Sequence, residues 1–273
     1  MIEFAETASC RNFGITVLGS GSKGNSSVIH GTKGNFLLDA GFSAKELAAR
    51  MEDRDIDPCS IQAILVTHAH QDHTKGCRVF GKKYNIPVYI QQETYLELKE
   101  HYEKYAPEED VVLITPGSAF DCCGVHIEPF EISHDVAALA YIFQVEDHKI
   151  GYATDLGWMS PLVKRKLHDS QILILESNYD PVKLRNSGRP ISTIRRIMGR
   201  QGHLSNDEAM SSLGDLITRN TRKIVFAHIS QECNDRVLVN DLAMKQLADL
   251  NREDILVEIA SQSTPLETMW MKV

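Results

Sequence analysis

The sequence predicts an α/β fold in which two sheets pack together with helices on their outer faces. Three observations predict it. Apolar runs such as A-I-L-V at 63–66 and I-L-I-L at 172–175 are too short for helices and are bounded by turn residues, the pattern of buried strands. Strands of this kind gather in two clusters, one in each half of the chain, with helical segments between them. At 273 residues and 42% hydrophobic, the chain can fill one large core. Residues 1–273 are expected to form one domain, with 1–12 as a short N-terminal extension.

Taken in order, Ile15–Leu18, Ser27–His30 and Phe36–Asp39 read as strands separated by turns of Gly, Ser, Lys and Asn. Ser43, three residues before Glu46, reads as an N-cap opening a helix that runs to about Met51. Ala63–Val66 follows as a buried strand, then a helix over Gly76–Tyr84, a strand over Val88–Ile90 and a helix over Glu93–Tyr105. In the second half, Val111–Ile114, Val125–Ile132, Ala140–Val145 and Lys149–Ala153 read as strands, and a helix starts near Ser160 and Pro161. Ile172–Leu175 and Lys223–Ala227 are strands, Asn206–Ile217 and Leu238–Leu250 helices, and Ile255–Ile259 a last strand.

Composition excludes several classes. No apolar run approaches the ~18–20 residues needed to cross a bilayer, and the first residues, MIEFAETASCRNFG, lack a basic segment followed by an apolar one. Both features point to a cytoplasmic protein with no membrane partner. Cys10, Cys59, Cys77, Cys122, Cys123 and Cys233 are scattered with no C-x-x-C pair, so reduced thiols are expected in a chain large enough to need no cross-links. A net charge of −8 argues against a surface that coats nucleic acid throughout, while leaving room for a local basic patch.

The strongest chemical signal is T-H-A-H-Q-D-H at 67–73, directly after the strand at 63–66. Imidazole nitrogens and carboxylate oxygens suit zinc, iron and manganese alike. His68 and His70, two apart, share one side of an extended segment, while Asp72 and His73 come round the following turn, so one loop can serve two adjacent ions. Left without a cation, four such groups crowded at a buried strand end would be costly.

H-A-H-Q-D-H resembles the H-x-H-x-D-H signature of the metallo-β-lactamase superfamily, and the superfamily's other motifs match in order. Asp39 in F-L-L-D-A-G, His134 in E-I-S-H-D, Asp155 in G-Y-A-T-D-L-G and His228 in I-V-F-A-H-I-S complete the set. The resemblance implies a four-layered αββα sandwich holding two divalent metal ions, zinc, manganese or iron. It assigns His68, His70 and His134 to one ion, Asp72, His73 and His228 to the other, and Asp155 to both. Asp39 would orient a ligand histidine. A hydroxide bridging the ions would be the nucleophile, oriented by Asp72.

Three features bear on the substrate. G-H-L-S-N at 202–206 resembles the G-H-x-[ST] segment of the tRNA 3′-processing branch, which makes His203 the candidate general acid and brings Ser205 and Asn206 near a phosphate; either is also a natural N-cap. The stretch 181–205 carries Lys183, Arg185, Arg189, Arg195, Arg196 and Arg200 without an acid, and arginine forks match phosphate oxygens. G-S-G-S-K-G-N-S at 19–26 departs from the nucleotide-triphosphate loop, because Lys23 is followed by Gly24, and reads as a hairpin turn whose amides and hydroxyls could still meet a phosphate.

With L-E-S-N at 175–178 added, the motifs from about Ile15 to Glu258 closely resemble the bacterial YycJ/WalJ family. That resemblance implies a 5′→3′ exonuclease acting on double-stranded DNA with a link to mismatch repair, and DNA rather than RNA as partner. One segment departs from it: around Pro190 the chain has S-G-R-P-I-S-T-I, with no aromatic residue where the family carries them. The competing enzyme of the same fold is a thioesterase or lactonase similar to glyoxalase II; a thiolate leaves without a strong acid, so thioester chemistry needs neither His203 nor an arginine patch.

Overall fold

In the computed structural model, residues 12–108 and 110–273 are described, so the expectations for the first eleven residues, Cys10 among them, fall outside it. Chain order runs β1 (Asn12–Gly19), β2 (Ser26–Gly31), β3 (Gly34–Leu38), α1 (Ala44–Glu52), β4 (Ile61–Leu65), α2 (Gln71–Thr74), α3 (Cys77–Tyr84), β5 (Val88–Gln91), α4 (Gln92–His101) and β6 (Val111–Ile114). The second half holds β7 (Phe120–Cys122), β8 (Val125–Ile132), β9 (Ala138–Val145), β10 (His148–Ala153), α5 (Pro161–Leu167), β11 (Ile172–Glu176), α6 (Pro181–Arg185) and α7 (Ile191–Ile197). It closes with α8 (Asn206–Leu216), β12 (Lys223–Ala227), α9 (Arg236–Asp249), β13 (Leu256–Ile259) and β14 (Met269–Lys272).

The described strands form two seven-stranded mixed sheets, ordered β14-β1-β2-β3-β4-β5-β6 and β13-β12-β11-β10-β9-β8-β7. In each, an antiparallel stretch gives way to parallel pairing: at β3–β4 in the first and at β10–β11 in the second. One core lies between the sheets, where Phe13, Ile15, Phe36 and Leu65 of the first meet Tyr141, Phe143, Tyr152 and Ile174 of the second. The outer faces are covered separately, the first sheet's by α1, α3 and α4, the second's by α5, α8 and α9. Each such fully buried side chain contributes roughly 1.5–3 kcal/mol, and the result is the αββα sandwich.

Local signals acted as their chemistry requires. Ser43 accepts the amide of Glu46, and Ser160 that of Val163 ahead of a proline-led helix. The helix expected over Glu93–Tyr105 stops at His101, where its buried face of Thr94 and Leu98 runs out. Strands β7 and β14 and helices α6 and α7 were not expected; at three to seven residues each, they are too short to set up a readable period. Among the described residues no helix is long and apolar enough to cross a membrane, and the five described cysteines are free.

His30, on β2, ties the edge of the first sheet together. Its Nδ1–H donates to Asn35 Oδ1 at 3.2 Å, leaving Nε2 to accept from Thr16 Oγ1 at 2.7 Å, and its ring lies 4.6 Å from that of Trp270 on β14. Burial pushes its pKa from 6.5 down to about 4. The folded protein therefore resists protonation that the unfolded chain accepts, and stability present above pH ~6.5 is lost as pH falls toward 4. His30→Gln is expected to flatten the fall of Tm between pH 7 and 4.5, measured by thermal unfolding; an unchanged slope counts against the buried neutral imidazole.

Candidate metal centre

The candidate metal ligands and Asp39 lie at strand ends or on the loop that follows one, the carboxyl ends where such sheets gather ligands. Asp39 follows β3, Asp155 lies two residues beyond β10 and His228 follows β12, and each takes a left-handed φ, of 59°, 59° and 54°. Asp and His tolerate this conformation better than most residues, yet it still costs of order 1 kcal/mol each. The loop after β4 carries His68 and His70 and then wraps Asp72 and His73 into the single turn of α2.

These segments bring the seven candidate ligands together. Donor atoms of His68, His70 and His134 lie within 4.8 Å of one another, as do those of Asp72, His73 and His228. His134 Nε2 is 3.4 Å from His70 Nδ1. Asp155 joins the two groups: its Oδ2 is 3.3 Å from His73 Nε2, and it also clusters with His68. Asp39, fully buried, accepts from His73 Nδ1 at 2.7 Å and from the amide of Thr67 at 2.8 Å, which fixes the ring of His73 with Nε2 turned toward the cluster.

Charge is divided unevenly across the site. Burial pushes the imidazoles of His68, His70 and His134 below their ordinary range. Burial acts the same way on His73 and His228, but Asp39 beside the first and Asp155 beside the second hold both above it, His228 at about 10. Half of the site thus offers neutral nitrogens, and the other half holds carboxylates that demand positive charge.

Two further groups, given no role from the sequence, complete the framework. Glu176, at the end of β11 and fully buried, takes His203 Nδ1 at 2.9 Å and His228 Nδ1 at 2.8 Å on one oxygen, and the amides of Leu156 and Leu204 on the other. Its only sequence mark was an acid closing an apolar strand in the L-E-S-N motif. Asn25, from the Gly-Ser loop, anchors its carbonyl oxygen on Ser20 Oγ and the Gly21 amide. Its Nδ2 stands 2.9 Å from His73 Nε2 and 3.2 Å from Asp72 Oδ2. Ser20 Oγ also accepts the amide of His228. The loop read as a hairpin turn therefore braces the metal-site loops.

A family profile described as the Beta-lactamase superfamily domain matches residues 34–229. Over 244 residues the chain is 32% identical to exodeoxyribonuclease YycJ of Bacillus anthracis, with 89% of each chain covered. Over 240 residues it is 30% identical to exodeoxyribonuclease WalJ of Streptococcus pneumoniae, covering 86% of this chain and 88% of that one. The solved metallo-β-lactamase fold protein YhfI from Bacillus subtilis superposes with a TM-score of 0.69 at 13% identity, over 93% of this chain and 99% of that one. The chain belongs to the metallo-β-lactamase superfamily. Within that superfamily of hydrolases it groups with the YycJ and WalJ sequences.

Metallo-β-lactamase folds bind divalent metals, and the residues here fit such ions. Among the described residues, His68 Nε2, Asp155 Oδ2 and His228 Nε2 are buried without a hydrogen-bond partner. An unsatisfied buried polar atom costs about 1–3 kcal/mol, and three in one cluster, all on candidate ligands, mark a place for cations.

Beside the cluster lies a cleft lined by Ser22, Arg189, Arg196, His203, His228 and Ser230. Of the six basic residues in the stretch 181–205, Arg189 and Arg196 line it; Lys183, Arg185, Arg195 and Arg200 are exposed and do not. Arg196 donates to Asp135 Oδ2 at 2.8 Å, while Asp135 Oδ1 is 3.3 Å from His70 Nε2. Ser205 and Asn206 do not line the cleft. Both are buried: Ser205 caps α8 in a capping box with Glu208, and Asn206 bonds Ser177 and Asn234. A hydroxyl and an amide so engaged have no face left for a phosphate, so their place is structural.

Proposed function

We propose that the chain is a phosphodiesterase using two divalent ions, acting on DNA as a 5′→3′ exonuclease. The observation that carries this reading is His203. It stands on the cleft beside two arginines, held at Nδ1 by the same carboxylate oxygen that holds the candidate ligand His228. Thioester hydrolysis has no use for that pairing, because a thiolate leaves without a strong acid; a lactone expels an alkoxide, and against that reading stand the two arginines on the cleft, which suit a phosphodiester.

His68, His70 and His134 would hold one ion, Asp72, His73 and His228 the other, with Asp155 between them. When bound, the ions supply Lewis acidity toward a phosphodiester and bring the pKa of water down from 15.7 to roughly 7. Asp72 is 22% exposed at its side chain against 2% for Asp155, so it is the ligand carboxylate that can also reach and orient the attacking water. Asn25 keeps that carboxylate in place through Nδ2. Arg189 and Arg196 would grip the strand's phosphates. His203, its Nδ1 held by Glu176, keeps Nε2 for donating a proton to the departing sugar oxygen.

The test is digestion of 5′- and 3′-labelled duplex DNA and RNA by protein reloaded with zinc, manganese or iron after chelation. Progressive shortening of DNA from the 5′ end is expected. Equal digestion of RNA removes the DNA preference, and turnover of S-lactoylglutathione with no cleavage of either nucleic acid overturns the reading in favour of a thioesterase.

A further inference from the structure

The loop Gly19–Ser26 braces the site from beneath, but its exposed Lys23 takes no part in that bracing. Three depressions run together over this loop. The cleft holding Arg189, Arg196 and His203 shares Ile229 and Ser230 with a second depression, which Ser20 also lines. The second shares Gln231 and Gln262 with a third, which Lys23 and Lys75 line. One groove therefore passes His228, whose chain continues directly into Ile229, Ser230 and Gln231.

Cations stand at both ends of it. Lys23 and Lys75 are exposed and make no ion pair among the described residues. The loop's backbone is pinned, with the Lys23 amide on Gln262 Oε1 at 2.8 Å and Gln262 Nε2 on Gly24 O at 2.9 Å, so the lysine stands on a fixed base. Glu46, the acid at that end, is taken by Arg50 at 2.8 Å. Asp235, in the middle depression, accepts the amides of Val237 and Leu238 as the cap of α9. At the far end stand Arg189, paired with Glu232, and Arg196, paired with Asp135. In a chain of net charge −8, a groove that runs past His228 with cations at both ends suits a polyanion.

We infer that a nucleic-acid strand lies along this groove, its backbone held on one side of the reacting phosphate by Arg189 and Arg196 and on the other by Lys23 and Lys75. The inference rests on the phosphodiesterase reading and adds to it a second phosphate-binding site, built from a loop that the metal-site chemistry does not need at its surface.

The experiment compares the metal-loaded wild type with Lys23→Glu/Lys75→Glu and with Lys99→Glu/Lys245→Glu, which changes net charge equally at exposed positions on α4 and α9. Binding of a phosphorothioate single strand is followed by fluorescence anisotropy between 50 and 200 mM salt. Loss of two contacts is expected to make the slope of log affinity against log salt shallower by about 1.4, with affinity at low salt weakened at least ~10-fold, and the control pair is expected to keep the wild-type slope. Equal effects in both pairs, or none in the Lys23/Lys75 pair, overturn the groove while wild-type cleavage leaves the nuclease reading standing. A wild type that neither binds nor cleaves nucleic acid overturns both. Lys23→Gln/Lys75→Gln serves if charge reversal lowers Tm.

Discussion

Asp155→Ala protein is expected to lose most of its bound metal and to cleave DNA at least ~10²–10³-fold more slowly, the cost of deleting one preorganised electrostatic contact in an active site. The argument is geometric. Asp155 is the only candidate ligand whose oxygens reach both halves of the cluster, Oδ2 toward His73 and His68, Oδ1 toward His228 Nδ1 at 3.2 Å. Without it the two halves have no common anion, and His73 and His228 keep the positive charge that Asp39 and Glu176 still favour. The metal-free protein should also suffer, because removing one partner of a buried ion pair leaves an uncompensated charge and costs roughly 3–5 kcal/mol. Asp155→Asn keeps the shape and removes the charge, so it should lose metal with a smaller fall in Tm. Elemental analysis after purification without added metal, with Tm before and after reloading, checks both claims. Full metal content with wild-type turnover in Asp155→Ala would falsify the bridging role.

Which parts of this site could be read from the chain follows from how each residue is placed. His68, His70, Asp72 and His73 crowd one loop, and Asp39, His134, Asp155 and His228 each stand within two residues of a strand end. Chemistry at a strand end shows against an apolar background. Glu176 also closes an apolar strand, but it drew no role because its importance comes from two histidines and two amides contributed by other segments. Asn25 and Ser20 sit in a Gly-Ser loop whose composition signals a turn equally well with or without partners; only the fold brings Asp72, His73 and His228 against it. The basic stretch 181–205 read as one patch, but α6 and α7 divide it, turning Arg189 and Arg196 to the cleft and Lys183, Arg185 and Arg195 to solvent. Strand β14 was unreadable for a related reason: its partners, Asn12–Ile15 of β1, lie at the other end of the chain.

His203→Ala is expected to slow DNA cleavage by ~10²–10⁴-fold, the usual contribution of a positioned general acid, while leaving metal content unchanged. The second half of that statement carries the discrimination. Donor atoms of His203 lie within coordinating range of Asp155, Glu176 and His228, so a ligand role and an acid role both fit its position. Glu176 separates them physically. Its Oε1 holds His203 Nδ1 and His228 Nδ1 side by side, and its Oε2 is already taken by two backbone amides, which makes the carboxylate an anchor with no lone pair to spare for an ion. An anchored imidazole that is 20% exposed on the cleft is placed to give up a proton to a leaving group. The loss should therefore depend on what leaves. An alkoxide needs a proton, whereas p-nitrophenolate is a far weaker base, so hydrolysis of bis(p-nitrophenyl) phosphate by His203→Ala should fall much less than DNA cleavage does. Glu176→Gln, which weakens the hold on both histidines, should cost activity on both substrates and some metal as well. Equal losses on the two substrates in His203→Ala, or loss of an ion with the side chain, would move His203 from proton donor to ligand.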